Sequence, residues 1–191
     1  MEKAAPKKSL VRLHHEIKEI SFKHKFLIQK VFKNSVEGIL GIDYFSVLVI
    51  DSSNTISCYS SMPALEYNLF QSNLWFHDGI FDIKNHQTNS FISWEELYAH
   101  EAKSRLIKEK QIQFGFKFGF FIMKKVGRMF VIYSFATKSK NSINLYKESQ
   151  NVLSKIGDFF LQEIKTIYKE YLRDTQRPKL RLIVNNKRGC I

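Results

Sequence analysis

Two paired runs of β-branched and aromatic residues constrain the fold of this chain most strongly. The first run, YFSVLVID at 44–51, is followed by a short polar turn and by the alternating TISCYSS at 55–61. The second pair, FKFGFFIMK at 116–124 and MFVIYSFAT at 129–137, is joined by a short turn that contains a glycine. Runs of this kind separated by turn residues are typical of β-hairpins. Two hairpins from separate parts of the chain predict one antiparallel sheet.

Helical periodicity surrounds both hairpins. The spacing of apolar residues predicts a long amphipathic helix over about 9–33 and a closing helix over about 141–173. Pro63 suits the first turn of a third helix, a fourth helix is predicted over 94–113, and the aperiodic stretch 76–92 is predicted to be a loop. The expected fold class is α+β, with an antiparallel sheet sandwiched by helices as in PAS- or GAF-like sensor domains.

The composition allows one domain with its own core. The 191 residues suit a single domain, and a hydrophobic content of 44% is ample for a core without disulfides or a metal. We expect a single domain over 9–173, a disordered basic start at 1–8 and a basic tail at 174–191. The sequence has no signal-peptide core and no run of 18 apolar residues, and its two cysteines match no disulfide or metal spacing. A soluble, cytoplasmic protein without a membrane span is therefore expected.

The formal net charge of +12 is concentrated at the two ends of the chain. Nine Lys and Arg against three Glu give residues 1–33 a net charge of +6, and six Lys and Arg against one Asp give residues 173–191 a net charge of +5. Basic ends can bind the phosphates of nucleic acid or an anionic membrane. They can also be solvated faces that keep an aromatic-rich domain in solution. Both interpretations stay open.

No set of residues with a recognisable catalytic or metal-binding spacing is present in the sequence. The chain lacks a P-loop, a G-x-G-x-x-G loop and a G-x-S-x-G elbow, and His100-Glu101 has no second His where a zinc helix requires one. Cys58 lies in a predicted strand with no base that can be placed beside it, so we expect a core residue. The sequence therefore predicts no enzyme, no metal and no cofactor. An enzyme of an unrecognised type is kept as a competing hypothesis.

Asp78 and Trp94 carry binding chemistry within the apolar middle of the chain. A carboxylate among large apolar residues can accept a hydrogen bond from a ligand N–H, and an indole N–H can donate one to a ligand carbonyl. The alternative is structural: Asp78 and Gly79 form a turn, and Trp94 packs in the core. The residues expected to line a pocket around the pair are Tyr59, Leu65, Leu69 and Trp75.

This arrangement resembles the autoinducer-binding domain of LuxR-type quorum-sensing regulators. Asp78 precedes Trp94 by sixteen positions, and Gly115 and Gly119 follow in FGFKFGFF at the entry to the next strand. The resemblance covers about residues 10–172 and implies a cytoplasmic ligand sensor in transcription regulation. It further implies that Asp78 holds the amide and Trp94 the lactone carbonyl of an acyl-homoserine lactone.

Three positions depart from the family's pattern. Leu65 and Leu69 stand where the family carries the Trp and Tyr that wall its pocket, and Gly79 stands where a Pro usually follows the Asp. The ligand is therefore open between an acyl-homoserine lactone and another small hydrophobic molecule. Family members continue into a DNA-binding helix-turn-helix, for which residues 174–191 are too few, so direct DNA binding is not expected.

Two further functional hypotheses follow from the sequence, beside the enzyme of unrecognised type. The first is a non-enzymatic sensor domain that binds a small hydrophobic or amide-bearing signal, or that forms a homodimer or a heterodimer with a regulator. The second is a nucleic-acid-binding protein that uses its basic termini, or the alternating Phe of FGFKFGFF as an RNA-recognition strand uses its stacking aromatics. Alternating aromatic residues in a strand are more often core residues.

Overall fold

A six-stranded sheet organises the fold. The computed structural model describes residues 12–14, 22–81, 90–139 and 143–176. In these ranges the strands are β1 (Arg12–Leu13), β2 (Tyr44–Ile50), β3 (Thr55–Ser60), β4 (Ser90–Ser93), β5 (Phe118–Val126) and β6 (Met129–Thr137). Their spatial order is β1-β3-β2-β6-β5-β4, with β1 parallel to β3 and the other neighbours antiparallel. Both predicted hairpins are confirmed, and they join edge to edge through β2 and β6.

Helices cover both faces of this sheet. They are α1 (Lys25–Ser35), α2 (Pro63–Gln71), α3 (Trp94–Leu97), α4 (Lys103–Ile107), α5 (Ile143–Glu148) and α6 (Gln150–Gln176). Buried side chains of α1, α5 and α6 pack on one face of the sheet. Those of α2, α3, α4 and the 3-10 turns at Leu74–His77 and Gly79–Phe81 pack on the other. The predicted α+β class is confirmed.

Strict alternation along the central strands divides the core into these two layers. In β2, Phe45 and Val47 belong to the layer under α1 and α6, whereas Tyr44 and Leu48 belong to the layer under α2 to α4. Successive side chains of a strand point to opposite faces, so a strand buried on both faces reads as a nearly continuous apolar run. This is why the sequence of β2 contains so few polar residues.

The prediction of one helix over 9–33 is wrong. Arg12 and Leu13 form β1, and α1 begins at Lys25. The Arg12 N–H donates to the carbonyl of Asn54 at 2.9 Å, and the His14 N–H donates to that of Ile56 at 2.9 Å. The open edge of β3 therefore provides backbone partners that override the local helical pattern. Residues 9–11 and 15–21 of that prediction lie outside the described residues.

The prediction of one helix over 94–113 also needs correction. The chain is extended at Tyr98 and Ala99, between α3 and the next 3-10 turn. Tyr98 forms an isolated β-bridge with Asp78, and the Ala99 N–H donates to the His77 carbonyl at 2.9 Å. These contacts with the preceding loop interrupt the helix and place that loop beside it.

The stretch 76–92 is more ordered than the predicted loop. It contains the 3-10 turn at Gly79–Phe81 and the strand β4, which pairs with β5; residues 82–89 lie outside the described residues. At the other end, α6 continues to Gln176, slightly beyond the predicted end at residue 173. The expected start at 1–8 and most of the expected tail lie outside the described residues. No helix in the described ranges is long and apolar enough to cross a membrane.

Candidate functional site

Asp78 is buried between the sheet and the helices that follow it. Its Oδ1 accepts a hydrogen bond from the Ile80 N–H at 3.2 Å, as the turn interpretation of the sequence expects. Its Oδ2 lies 2.7 Å from the Nζ of Lys110, and the two side chains are 2% and 4% exposed. Both oxygens of the Asp78 carboxylate therefore have partners within the chain.

Lys110 reaches this position from a π-helical turn. α4 ends at Ile107 and continues as the π-helical turn Lys108–Ile112, in which the Gln113 N–H donates to the Lys108 carbonyl at 3.0 Å. The wider turn buries Lys110 and Gln111, whereas Lys108 is exposed. π-helical turns occur frequently at functional sites because they redirect individual side chains.

Three aromatic rings surround the Lys110 ammonium. Its Nζ lies 4.2 Å from the ring centroid of Trp94, 5.0 Å from that of Phe121 and 5.2 Å from that of Tyr98. All three distances are within the roughly 6 Å over which a cation is attracted to a ring face. We call Asp78 together with these three rings the ammonium cage.

Trp94 forms one wall of this cage and is fully buried at the start of α3. Its Nε1 donates to the Ser134 Oγ at 3.0 Å, and the Tyr44 ring packs against it in a T-shaped arrangement with the centroids 5.7 Å apart. The structure thus brings Asp78 and Trp94 to one site, joined through Lys110. Each of the two polar groups already has a partner in the protein.

A small cavity of about 20 Å³ adjoins the cage. Its polar lining comes from Tyr44, Ser46, Glu66, Asp78, Lys110 and Ser134. This volume holds about one water molecule. Pockets that enclose a small organic ligand measure roughly 300 Å³ or more. The cavity therefore has no room for such a ligand in this conformation, and the side chain of Lys110 occupies the space beside the Asp78 carboxylate.

The four residues expected to line the pocket divide into three groups. Leu69 lines the cavity, and Leu65 and Trp75 belong to the same core layer without lining it. Tyr59 belongs to the opposite layer, under α1 and α6, so its expected place in this pocket is corrected. The physical reason is the alternation of β3, which turns Cys58 to one face and Tyr59 to the other.

Glu66 adds a second carboxyl group to the cavity wall. The Tyr44 hydroxyl donates to Glu66 and lies 2.8 Å from the Ser46 Oγ. Burial raises the pKa of the Glu66 carboxyl above its ordinary value, against the opposing effects of the Tyr44 hydrogen bond and the Lys110 charge. Burial and the neighbouring Glu66 charge raise the pKa of the Tyr44 phenol well above its usual range.

The described residues contain no arrangement that favours nucleophilic or metal chemistry. Burial, followed by the Glu66 charge, raises the pKa of the Cys58 thiol well above its usual value, which disfavours the reactive thiolate. No three His, Cys, Asp or Glu side chains in the described ranges come close enough to hold a metal ion. Phe116 and Phe120 of FGFKFGFF are buried in the core and are not available to stack on bases.

Comparison with known proteins gives matches at the level of structure. No protein-family model matches the sequence, and no curated protein matches it. Escherichia coli SdiA, a LuxR-type protein, is similar in structure with a TM-score of 0.52 and 16% identity, over 82% of this chain and 64% of SdiA. The chain has the fold of a LuxR-type autoinducer-binding domain.

Two further solved structures are similar to this chain to different degrees. SdiA in complex with octanoyl-rac-glycerol is similar with a TM-score of 0.50 and 16% identity, over 80% of this chain and 62% of that one. The VqsR LBD domain from Pseudomonas aeruginosa has a TM-score of 0.46 and 13% identity, over 76% of this chain and 92% of that one. The present chain thus spans less than two thirds of the length of SdiA.

Within this autoinducer-binding-domain fold, sequence reasoning missed Lys110, Glu66 and the serine pair of the sheet. Ser46 and Ser134 are register partners in β2 and β6, at the centre of two otherwise apolar runs. A polar residue inside such a run is the signal that could have found them. Lys110 carries no comparable signal, because a lysine in a predicted amphipathic helix is expected on the solvent face.

Proposed function

We propose that this chain is a non-enzymatic regulatory domain that binds a small ligand beside Asp78, and that the ligand must replace Lys110 there. The observation that carries the proposal is the position of the Lys110 Nζ, 2.7 Å from the Asp78 Oδ2 and 4.2 Å from the centre of the Trp94 ring. The residues that the family resemblance assigns to ligand binding thus meet at one buried site. That site is now filled by a flexible side chain.

The exchange of Lys110 for a ligand follows from space and charge. A cavity of about 20 Å³ has no room for an acyl chain while Lys110 lies inside. Leaving the Asp78 Oδ2 buried without its cation would cost several kcal/mol, roughly 3 to 5 for a broken buried pair. The ligand must therefore bring its own donor to Asp78. The aliphatic part of the Lys110 side chain is long, so its ammonium can reach solvent when a ligand displaces it.

Thermal unfolding with acyl ligands tests this proposal. Octanoyl-glycerol is the first probe, since SdiA was solved in complex with it, and N-octanoyl-homoserine lactone is the second. We expect each effective ligand to raise the Tm of Lys110→Ala by more than that of the wild-type chain, because the variant frees both Asp78 and the volume beside it. The exposed Lys108→Ala, two residues away, should respond as the wild-type chain does. No shift with either ligand in any variant would contradict ligand binding at this site.

A second candidate function is pairing with another copy of this chain. Between α1 and α6 lies an open groove along which Leu27, Val152 and Phe159 are 47%, 54% and 53% exposed. Contiguous apolar side chains on a surface mark interaction sites. The rim of the groove carries both Lys30 and Glu163, so a two-fold-related copy can place opposite charges against each other.

Sedimentation at about 50 μM tests this pairing, since micromolar affinities are common for such contacts. We expect a dimer for the wild-type chain and a monomer for Phe159→Glu, which puts a charge into the groove. Gln162→Glu, exposed on the same helix, is the matched control and should stay dimeric. A monomeric wild-type chain under these conditions would contradict the homodimer. Pairing with a different regulator would then be the remaining form of the hypothesis.

Nucleic-acid binding through the basic ends stays a prediction. The basic segment 177–191 and residues 1–11 lie outside the described residues, whereas five of the nine basic residues of 1–33 lie within them. A salt-sensitive gel shift that persists after both ends are deleted would exclude the terminal version of this hypothesis.

A further inference from the structure

The surroundings of Lys110 have the composition of a receptor for a cation. Its Nζ has a carboxylate oxygen at 2.7 Å and three ring centroids at 4.2, 5.0 and 5.2 Å. A ring of aromatic faces closed by one anion is the arrangement by which proteins recognise alkylammonium groups. A neutral amide or hydroxyl would satisfy Asp78 but would gain little from the three rings.

Two exposed lysines contact aromatic rings in a different way. Lys25 lies over the ring of Phe26 at 4.9 Å, and Lys138 lies over that of Phe116 at 5.9 Å, both from exposed positions. Lys110 is buried, and its rings come from three separate elements, α3, the segment after it and β5. The cage is therefore built by the tertiary fold and not by chance contacts of a surface side chain.

The position of Tyr98 supports this interpretation. Tyr98 is buried and its hydroxyl has no hydrogen-bond partner among the described residues, so it is the ring of this side chain that contacts Lys110. Its isolated β-bridge with Asp78 places the two residues side by side.

We propose that the ammonium cage is an alkylammonium-binding site and that Lys110 is its tethered occupant. This proposal deepens the proposed function. Its consequence for signalling rests on the exchange of Lys110 for a ligand proposed there. A ligand that exchanges with Lys110 would then carry an amine, and a neutral lactone would be a poorer match. In the absence of such a ligand, the tether keeps the site filled and the domain folded.

Chemical rescue of a truncated lysine tests the cage directly. Lys110→Ala removes three carbons and the ammonium, and n-propylammonium supplies the same atoms. An amine with a Kd of about 5 mM is within the affinity range of a ligand with four non-hydrogen atoms, and it would be about nine-tenths bound at about 50 mM. We expect the chloride salt at that concentration to raise the Tm of Lys110→Ala by about 3 °C or more relative to equal NaCl.

Four controls separate this result from general effects of the amine. 1-Propanol has nearly the same shape without the charge, and we expect it to give less than about a third of the shift if the cage selects a cation. The double variant Lys110→Ala/Asp78→Asn should lose the preference for the amine. Lys110→Met, which fills the volume, and the wild-type chain, which supplies a tethered ammonium at high effective concentration, should shift little. Equal shifts with amine and alcohol, or an equal response of the double variant, would overturn the proposal.

The folding of Lys110→Ala has its own measurement. If Lys110→Ala does not fold alone, near-ultraviolet circular dichroism after refolding with propylammonium, propanol or NaCl replaces the Tm. No recovery of the signal with the amine would overturn the proposal.

The outcome of the rescue experiment is separable from that of the proposed function. Rescue of Lys110→Ala with no acyl-ligand shift in any variant supports the cage and contradicts the exchange of Lys110 for a neutral acyl ligand, whereas acyl-ligand shifts without amine rescue support that exchange and overturn the cage.

Discussion

Gly119 lies directly against the indole ring of Trp94. A β-carbon added at Gly119 would lie 2.2 Å from the Cδ2 and from the Cε3 of Trp94, a distance that non-bonded carbons do not reach. The register partner of Gly119 in β6 is Ala136, another small residue. This flat, small surface lets the indole lie on the sheet, from where its N–H reaches Ser134.

We therefore predict that Gly119→Ala destabilises the domain. Replacing glycine by alanine in a strand ordinarily stabilises the folded chain by about 0.4 to 1 kcal/mol, because it restricts the unfolded chain. Overpacking of a buried site destabilises the folded chain by roughly 1 to 3 kcal/mol or more. The clash is with a fully buried ring, so we expect the loss to exceed the gain. Urea unfolding measures the difference, with the exposed Lys125→Ala of the same strand as a control within about 0.5 kcal/mol. A Gly119→Ala chain as stable as the wild type would show that Trp94 can shift without cost.

Gly157 in α6 provides an independent test of the same principle. In an exposed helix interior, glycine to alanine stabilises by about 1 kcal/mol. Here a β-carbon would lie 2.5 Å from the Tyr133 Cδ2, and the Tyr133 hydroxyl is held 2.6 Å from the Asp158 Oδ1. We expect Gly157→Ala to lower the free energy of unfolding by about 1 kcal/mol or more, opposite in sign to helix propensity. Gln162→Ala, exposed on the same helix, should be nearly neutral. A stabilised Gly157→Ala would contradict the close packing.

The hydrogen bond between Trp94 and Ser134 should appear as a coupling energy. Ser134→Ala leaves the buried indole N–H without its acceptor, which costs about 1 to 3 kcal/mol. Trp94→Phe removes the donor but also leaves a void, so its own cost is larger and less specific. A double-mutant cycle isolates the pair, and we expect a coupling of about 0.5 to 1.5 kcal/mol in urea unfolding. Additive single effects would mean that the bond contributes nothing to stability.

The fold could be predicted from the sequence where local pattern and tertiary structure agree. The hairpins of 44–51 with 55–61 and of 116–124 with 129–137 have strand composition and clear turns, and both are present. The prediction failed at Arg12 and Leu13, because a free edge of β3 is a partner that no local period reveals. The helix predicted over 94–113 is interrupted at Tyr98 and Ala99 for the same kind of reason, because these residues contact the earlier loop at His77 and Asp78.

That Asp78 and Trp94 lie near each other could be expected from the sequence, but the side chain between them could not. Both residues stand out in the sequence as polar groups in apolar surroundings, and in the structure each contacts Lys110. That Lys110 lies between them depends on a π-helical turn, which changes the face on which one residue falls. A periodicity of 3.6 residues cannot indicate such a turn. The occupant of the site is therefore a tertiary property.

Glu66 should make the stability of the domain depend on pH with a definite sign. Its folded pKa is raised, chiefly by burial, so the folded chain binds this proton more tightly than the unfolded chain does. The contribution of Glu66 is then fully present below the unfolded value of about 4.3 and is lost as the pH rises through the folded value. Glu66→Gln keeps an acceptor for the Tyr44 hydroxyl and never ionises. We therefore expect the stability of Glu66→Gln relative to the wild-type chain to increase with pH over this window.

Urea unfolding of both chains between about pH 4 and 8 measures this difference, and the common titrations of the two chains cancel in it. The Tyr44 hydrogen bond opposes the shift, because it stabilises the ionised carboxyl. On a Tyr44→Phe background, the pH dependence of the Glu66→Gln difference should therefore become steeper. A flat difference would mean that the folded pKa of Glu66 is not raised, as in a solvated carboxyl, and the cavity beside Lys110 would then be open in solution. A difference that falls as the pH rises would mean that the Tyr44 hydrogen bond and the Lys110 charge outweigh burial.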